Sequence, residues 1–160
     1  MTSFAPLSLF FHATDNSDWR WPASYEKIGS FTTHADMFGC FHAITPAKFN
    51  GGMFFLMRDP LPPVWEAKEH LNGGTYCINV GEKVAFETFQ RYAAAMAEGL
   101  VSRDADNKII GLSISPKKGF HIMKIWNADA HYATPSGIHL LGDEMKVADI
   151  RYRNNVDQRF

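Results

Sequence analysis

The chain has 160 residues, which suits one domain spanning residues 1–160 and leaves too little sequence for two. Its formal net charge of −1 argues against a protein that grips a long nucleic-acid backbone, because such proteins carry a basic excess for phosphate contacts. The two cysteines do not make a disulfide scaffold or a zinc site, so the reducing cytoplasm or nucleus is the default, and we expect a cytoplasmic protein. No apolar run is long enough to span a bilayer. We also expect a monomer.

The first part of the chain predicts a strand, a loop and a helix. Leu7–Phe11 is apolar and predicts the first strand, whereas polar residues throughout 12–27 predict a loop. A helix is predicted over 33–44, where Thr33 is a good N-cap and Asp36 follows three residues later, as in a capping box. Its core-facing stripe would be Met37, Cys40, Phe41 and Ile44.

The rest of the chain predicts strands around one long helix. Strands are expected over 53–57, 75–80, 109–115, 120–126 and 146–153. A helix is expected over 83–101, with a stripe of Phe86, Phe89, Ala93, Met96 and Leu100, and a short helical piece over 135–141. Three prolines within 58–63 exclude regular structure there, so Trp65 and Glu66 leave a stiff loop. This order predicts an α+β fold with a curved antiparallel β-sheet and helices on one face.

The four tryptophans are the clearest functional signal. They are Trp19, Trp21, Trp65 and Trp126. Core packing is the usual fate of tryptophan, but loop tryptophans beside charged residues favour an amphipathic pocket that stacks a flat ligand. A guanine edge presents two adjacent N–H donors, which the carboxylate of Glu66 can accept together. Lys117 and Lys118 are candidates for binding a triphosphate.

Catalysis has no comparable support. The seven histidines are scattered, and the chain has no G-x-S-x-G elbow, Walker A loop or G-x-G-x-x-G motif. Glu66 and His70 are four residues apart, but two ligands do not make a metal site. We therefore expect a protein that is not an enzyme, with no metal and no cofactor. An enzyme acting on capped or free nucleotides stays as an alternative that predicts turnover of its ligand.

Two segments resemble a known family. Both segments are similar to the P-x-W-E and G-G-x-W segment of the translation initiation factor 4E family, which binds the messenger RNA cap. The first is Pro63-Val64-Trp65-Glu66, and the second is Asn72-Gly73-Gly74-Thr75-Tyr76-Cys77-Ile78. Weaker similarity extends over the first strand, the start of the first helix, the 111–126 hairpin and 152–157. The resemblance implies a cupped antiparallel sheet with helices packed on its convex face and a slot for 7-methylguanosine-capped mRNA on the concave side.

The resemblance also implies roles for single residues. Trp21 and Trp65 would sandwich the base, with Trp19 as the alternative stacking residue. Glu66 would accept from N1 and N2 of the base, the Trp65 backbone N–H would donate to O6, and Trp126 would lie against the N7-methyl group. Lys117 stands where the family has a phosphate-binding arginine. Ile122 replaces a second phosphate-binding lysine, for which the candidate substitutes are Lys118, His121 and Lys124.

The convex face departs from the family pattern. Phe38 stands where the family has a partner-docking tryptophan, and His34 replaces a neighbouring valine. Gln90 and Arg91 replace an exposed apolar pair on the second helix. The resemblance implies that the partner on this face is a translation initiation scaffold of the factor 4G type or a 4E-binding repressor, and the departures predict an altered docking mode or a different partner. The chain would act as an initiation factor or as a cap-binding competitor, and a protein–protein module without cap binding is the remaining alternative.

Overall fold

A computed structural model describes residues 3–143 and 145–158, with the side chains of 157 and 158 left out. Over these residues, seven strands form one sheet: β1 (Leu7–Ala13), β2 (Glu26–Phe31), β3 (Gly52–Arg58), β4 (Gly74–Gly81), β5 (Ile109–Pro116), β6 (Phe120–Asn127) and β7 (Arg151–Asn154). Their order across the sheet is β2-β1-β3-β5-β6-β4-β7, and every neighbouring pair is antiparallel. The predicted α+β class with a curved antiparallel sheet is confirmed.

Four α-helices accompany the sheet in the described part of the chain: α1 (His34–Ala43), α2 (Pro46–Phe49), α3 (Ala85–Ala97) and α4 (Asn155–Gln158). Short 3₁₀ turns lie at Lys68–His70, Pro135–Gly137 and Val147–Asp149. The main core lies between the convex face of the sheet and the helices α1 and α3. Its fully buried members include Leu9, Leu56 and Ile125 from strands, Met37 and Phe41 from α1, and Phe89 and Met96 from α3.

The first helix forms as its sequence predicts. The side chain of Thr33 accepts a hydrogen bond from the backbone N–H of Asp36, so Thr33 is the N-cap. Met37 and Phe41 of the predicted stripe are buried, whereas Cys40 and Ile44 are half-buried.

The second long helix is shorter than predicted. It ends at Ala97, because Gly99 takes a left-handed conformation with φ of 71° and the backbone N–H of Leu100 turns back to the carbonyl of Ala95. Leu100 is consequently 60% exposed, and its predicted place in the core stripe is wrong.

The elements β2, α2 and α4 were not predicted, and two further elements are shorter than predicted. The strand β2 occupies the end of the expected loop. Its residues Glu26 and Lys27 are both exposed because β2 is an edge strand. The strand therefore lacks the alternation of apolar and polar residues on which a sequence prediction depends. The helix α2 is a single turn that begins at a proline. The last strand is only β7, preceded by the 3₁₀ turn Val147–Asp149, and the helical piece expected over 135–141 is the 3₁₀ turn Pro135–Gly137.

The strand register fixes which side chains lie on the concave face, which we call the open face. Lys124 pairs with Ser113 on one side and with Cys77 on the other, and Trp126 pairs with Thr75. Directly paired residues in antiparallel strands share a face. A second, smaller apolar cluster covers part of the open face. It consists of Phe10, Phe55, Met57, Ile110 and Trp126, with Tyr25, Met53, Leu61 and Trp65 partly buried against it.

The glycine pair at the start of β4 allows three segments to approach closely. A Cβ atom on Gly73 would lie 2.1 Å from the backbone oxygen of Asn127, and one on Gly74 would lie 2.4 Å from that of Arg153. Any larger residue would therefore push β4 away from β6 and β7. The G-G motif thus allows β4 to pack closely between β6 and β7.

Candidate functional site

A cavity of about 320 Å³ opens on the open face of the sheet. We call it the slot. It is lined by Trp19, Tyr25, Met53, Phe55, Pro63, Val64, Trp65, Glu66, Ser113, Lys124 and Trp126. The slot therefore brings together three of the four tryptophans, one carboxylate and one lysine. Aromatic walls with few polar groups are typical of a site that binds a flat organic ligand.

The floor of the slot is rigid. Trp126 is only 3% exposed, and its indole Nε1–H donates a hydrogen bond of 3.2 Å to Ser113 Oγ. The rings of Phe55 and His70 meet it edge-on, at centroid distances of 6.3 and 5.3 Å. A ligand in the slot would thus rest on an indole whose orientation is set by three neighbours.

One wall comes from the loop that carries Trp65. The backbone N–H of Ala67 donates to the carbonyl of Val64 at 3.1 Å, so Trp65 and Glu66 occupy the two central positions of a tight turn. The Nε2–H of the buried His70 ring donates to the carbonyl of Pro62 at 2.7 Å and so joins the two ends of the loop. Trp65 is half-buried and Glu66 is exposed at the rim.

Trp19 forms another part of the slot wall. Its indole stacks on the ring of His12, with 3.6 Å between centroids and 7° between planes. His12 is buried in β1, and its Nε2 binds the backbone carbonyl of Asp18 at 2.7 Å, so this nitrogen carries the hydrogen. Trp19 remains 48% exposed. One face of the Trp19 indole is therefore covered by His12, while about half of the side chain stays accessible to a ligand.

Trp21, the preferred stacking residue in the sequence analysis, does not line the slot. Its ring packs edge-on against Phe10 and Tyr25, with centroid distances of 5.1 and 5.6 Å. Both tryptophans lie in an irregular loop, so neither helical nor strand periodicity decides which of them points toward the sheet. Trp19 lines the slot and lies on the flat ring of His12, whereas Trp21 does neither.

Tyr25 is a slot residue that the sequence analysis missed. It contacts the rings of His12, Trp19, Trp21 and Phe55. Burial, and secondarily the negative charge of Glu66, raise the pKa of Tyr25 to about 12. The Glu66 carboxylate therefore lies within electrostatic range of the slot interior. Tyr25 directly precedes β2, and this position could have indicated that its ring lies near the sheet. The predicted loop over 12–27 concealed it.

The four proposed phosphate-binding residues lie in different places. Lys124 lines the slot. Lys117 and Lys118 are exposed in the turn between β5 and β6, away from the slot lining.

The interpretation of His121 as a phosphate ligand is wrong. Its ring is 2% exposed and stacks on Phe49 at 5.0 Å, on the face that carries the helices, because it shares strand parity with Met123 and Ile125. Burial lowers the pKa of His121 and so disfavours the charged form that a phosphate would need.

The candidate docking residues lie on the helical side. His34 Nε2 contacts Glu98 Oε1 at 2.6 Å, and its ring meets those of Phe4 and Phe38. Phe38 is half-buried against Phe41.

On the second long helix, Arg91 bridges two elements. It binds Glu87 at 2.6 Å, and its other terminal nitrogen donates to the carbonyl of Leu141 at 3.1 Å. Arg91 is therefore already engaged within the chain.

Metal sites and membrane spans have no support in the described part of the chain. Residues 3–143 and 145–158 contain no group of three or more His, Cys, Asp or Glu side chains placed to hold a metal ion. Within the same residues, no helix combines the length and apolarity that crossing a membrane requires.

Comparison with known proteins identifies the family. A family model described as eukaryotic initiation factor 4E matches residues 6–158. The chain belongs to the eukaryotic initiation factor 4E family. No curated protein sequence matches it significantly.

Solved structures of initiation factor 4E proteins share the fold. Caenorhabditis elegans eIF4E-3, in complex with the 4E-binding protein Mextli, is 15% identical with a TM-score of 0.77, and the match covers 98% of this chain and 95% of that one. Ascaris suum eIF4E-3 with an m7G cap is 15% identical with a TM-score of 0.72, covering 96% and 91%. The same Ascaris protein with an m2,2,7G cap is 17% identical with a TM-score of 0.64, covering 80% and 74%.

Proposed function

We propose that this initiation factor 4E family member binds the 5′ cap of messenger RNA, with the 7-methylguanine base between Trp19 and Trp65. The observation that carries the proposal is the slot itself, which combines two loop tryptophans, a third tryptophan as floor and the carboxylate of Glu66. The family model supports it, and so do the cap complexes of the Ascaris protein, which has the same fold.

The chemistry of the slot suits this ligand. Stacking a base on an aromatic side chain contributes about 1–3 kcal/mol per base, and the positive charge of 7-methylguanine adds a cation–π attraction of roughly 0.5–2 kcal/mol. Glu66 offers two acceptor oxygens to the N1–H and N2–H donors of the base. Trp126 would lie against the methyl group, and Lys124 would meet the phosphate next to the ribose.

Tryptophan fluorescence tests the proposal. We expect 7-methylguanosine triphosphate to quench the emission of the slot tryptophans in a saturable titration, because a stacked cationic purine quenches indole. Plain GTP, which lacks the positive charge, is expected to bind far more weakly. Equal quenching by both nucleotides, or by neither, would contradict cap recognition. Chromatography of the ligand after incubation should recover it unchanged, and turnover would favour the enzyme alternative.

A prediction concerns the support beneath Trp19. His12→Ala should weaken binding of 7-methylguanosine triphosphate by roughly 3- to 10-fold, since an aromatic pair is worth about 0.5–1.5 kcal/mol and Trp19 would lose the ring that orients it. His12→Phe keeps a ring in that position and should lose less. Isothermal calorimetry of both variants measures the difference. Unchanged affinity in His12→Ala, with the fold confirmed by circular dichroism, would show that Trp19 does not depend on this stack.

We propose further that the chain acts in cytoplasmic translation and binds a partner on its helical face. The C. elegans protein of the same fold was solved with the 4E-binding protein Mextli. Here His34, whose ring meets that of Phe38, is paired with Glu98, so a partner at Phe38 would meet polar side chains. Arg91 on α3 is likewise paired, with Glu87. This favours an altered docking mode, either with a scaffold of the factor 4G type or with a repressor.

Translation of a capped reporter in an extract depleted of its own cap-binding factor separates the two roles. Restored translation would identify an initiation factor. If the chain instead lowers translation in an undepleted extract and restores none in the depleted one, it acts as a competitor for the cap.

A further inference from the structure

A second cavity, of about 510 Å³, lies beside the slot on the open face. We call it the groove. The two cavities adjoin, because Lys124 lines both of them. The groove runs from Lys124 toward the edge of the sheet, where Arg151 and Arg153 of β7 line it together with Asp149 and Cys77. Any chain leaving the slot past Lys124 would enter the groove.

The strand register places the cations of the groove in two rows. Cys77 pairs with Lys124 on one side and with Arg151 on the other, which puts these three residues in one row across the sheet. Thr75 pairs with Trp126 and Arg153 in the same way, which makes a second row. Adjacent strands are about 4.8 Å apart, so the backbones of β6 and β7 are separated by roughly 10 Å. Both arginines therefore lie within reach of a bound ligand chain that starts at the floor of the slot.

The groove is locally basic in a chain whose net charge is −1. Among the described residues, its lining contains three cations, Lys124, Arg151 and Arg153, and one carboxylate, Asp149. Arg151 and Arg153 are exposed, and among the described side chains no carboxylate lies within ion-pairing distance of any of the three cations. Two guanidinium groups that no described side chain neutralises favour an anion that can accept two parallel N–H donors, such as phosphate.

We propose that the groove binds the phosphodiester backbone of the first nucleotides that follow the cap. The proposal rests on the proposed function, since continuity with the slot through Lys124 selects RNA over other anions. Phosphates come from two sources here, the triphosphate bridge and the phosphodiesters beyond it. Lys124 stands at the junction and serves the bridge, whereas Arg151 and Arg153 lie farther from the slot and serve the phosphodiesters.

The test compares 7-methylguanosine triphosphate with an oligonucleotide that carries the same cap followed by three nucleotides. The unmodified protein should bind the capped oligonucleotide roughly 3- to 10-fold more tightly than 7-methylguanosine triphosphate. Two partly exposed ion pairs, from Arg151 and Arg153 to phosphates, account for a gain of that size. Arg151→Ala/Arg153→Ala should abolish that difference and leave the affinity for 7-methylguanosine triphosphate unchanged. The salt dependence of oligonucleotide binding should also fall, by about 0.7 in slope for each phosphate that the variant no longer neutralises. Arg103→Ala/Lys108→Ala, which removes two exposed cations outside the groove, is the matched control.

Cysteine alkylation gives a second measurement that needs no change in the groove. Cys77 is a half-buried free thiol lining the groove, and the other cysteine, Cys40, is removed as Cys40→Ser. The capped oligonucleotide should slow the reaction of Cys77 with N-ethylmaleimide several-fold more than 7-methylguanosine triphosphate does. Equal protection by the two ligands would overturn the proposal.

The outcomes separate the two proposals. If 7-methylguanosine triphosphate binds and the capped oligonucleotide binds no more tightly, the groove proposal is overturned and cap binding stands. If neither ligand binds, the proposed function fails and the groove proposal fails with it.

Discussion

Trp65→Ala should weaken the binding of 7-methylguanosine triphosphate by roughly 30-fold or more, because the base loses one stacking face worth about 1–3 kcal/mol and its cation–π component. Trp65 is half-buried at the tip of a turn whose backbone is held by Ala67 and, through Pro62, by His70. The substitution removes a ring from the slot without opening the main core, so the fold should persist. Calorimetric titration measures the loss, and thermal unfolding checks the fold.

The same experiment on the first loop decides between two tryptophans. Trp19→Ala should cause a loss comparable to that of Trp65→Ala, whereas Trp21→Ala should cost only a few-fold by loosening Tyr25. The two residues are two positions apart in one loop and both are exposed, which makes them matched controls. A large loss in Trp21→Ala together with a small one in Trp19→Ala would show that the loop rearranges and that Trp21 is the stacking residue.

Glu66→Ala should weaken cap binding by roughly 10-fold or more, because a guanine edge whose donors lose their acceptors bears a desolvation penalty of about 1–3 kcal/mol. Glu66→Gln keeps the size of the side chain but replaces one acceptor oxygen with a donor, so it should lose nearly as much. Lys118→Ala is the control, since this exposed lysine in the β5–β6 turn lies outside the slot lining. Its loss should stay within about threefold. Equal or larger losses in Lys118→Ala would contradict the placement of the base.

Cap methylation provides a second test of Glu66. A 2,2,7-trimethylguanosine cap has no N2–H donor, so the carboxylate can accept only from N1–H. The unmodified protein should therefore prefer the 7-methylguanosine cap, and Glu66→Ala should reduce this preference. If the preference is the same in both proteins, Glu66 does not read the N2 edge.

The sequence predicted most of the sheet because its central strands are strongly apolar or alternate clearly. The hairpin of β5 and β6 and the strands β3 and β4 all lie close to their predicted ranges. The strand β2 escaped prediction since edge strands are polar on both faces. The end of α3 was misplaced because Leu100 continues the heptad-like spacing that Gly99 interrupts.

The sequence predicts residues that line the slot where a motif fixes the backbone, but not where the direction of a side chain depends on the fold. Trp65, Glu66 and Trp126 line one cavity as the resemblance implied. The choice of Trp21 over Trp19 used spacing alone, and spacing in an irregular loop does not determine which ring meets His12. His121 was named for its charge, although the parity of β6 places it on the helical face. Arg151 and Arg153 went unnoticed because pairing of β7 with β4 depends on contacts distant in sequence.

A crystal structure of the chain with 7-methylguanosine triphosphate would show where the base binds. We expect the base between Trp19 and Trp65, its Watson–Crick edge at Glu66 and its methyl group against Trp126, with the phosphates leaving past Lys124. A base that lies elsewhere on the protein, or a slot that stays empty at saturating ligand, would contradict this expectation.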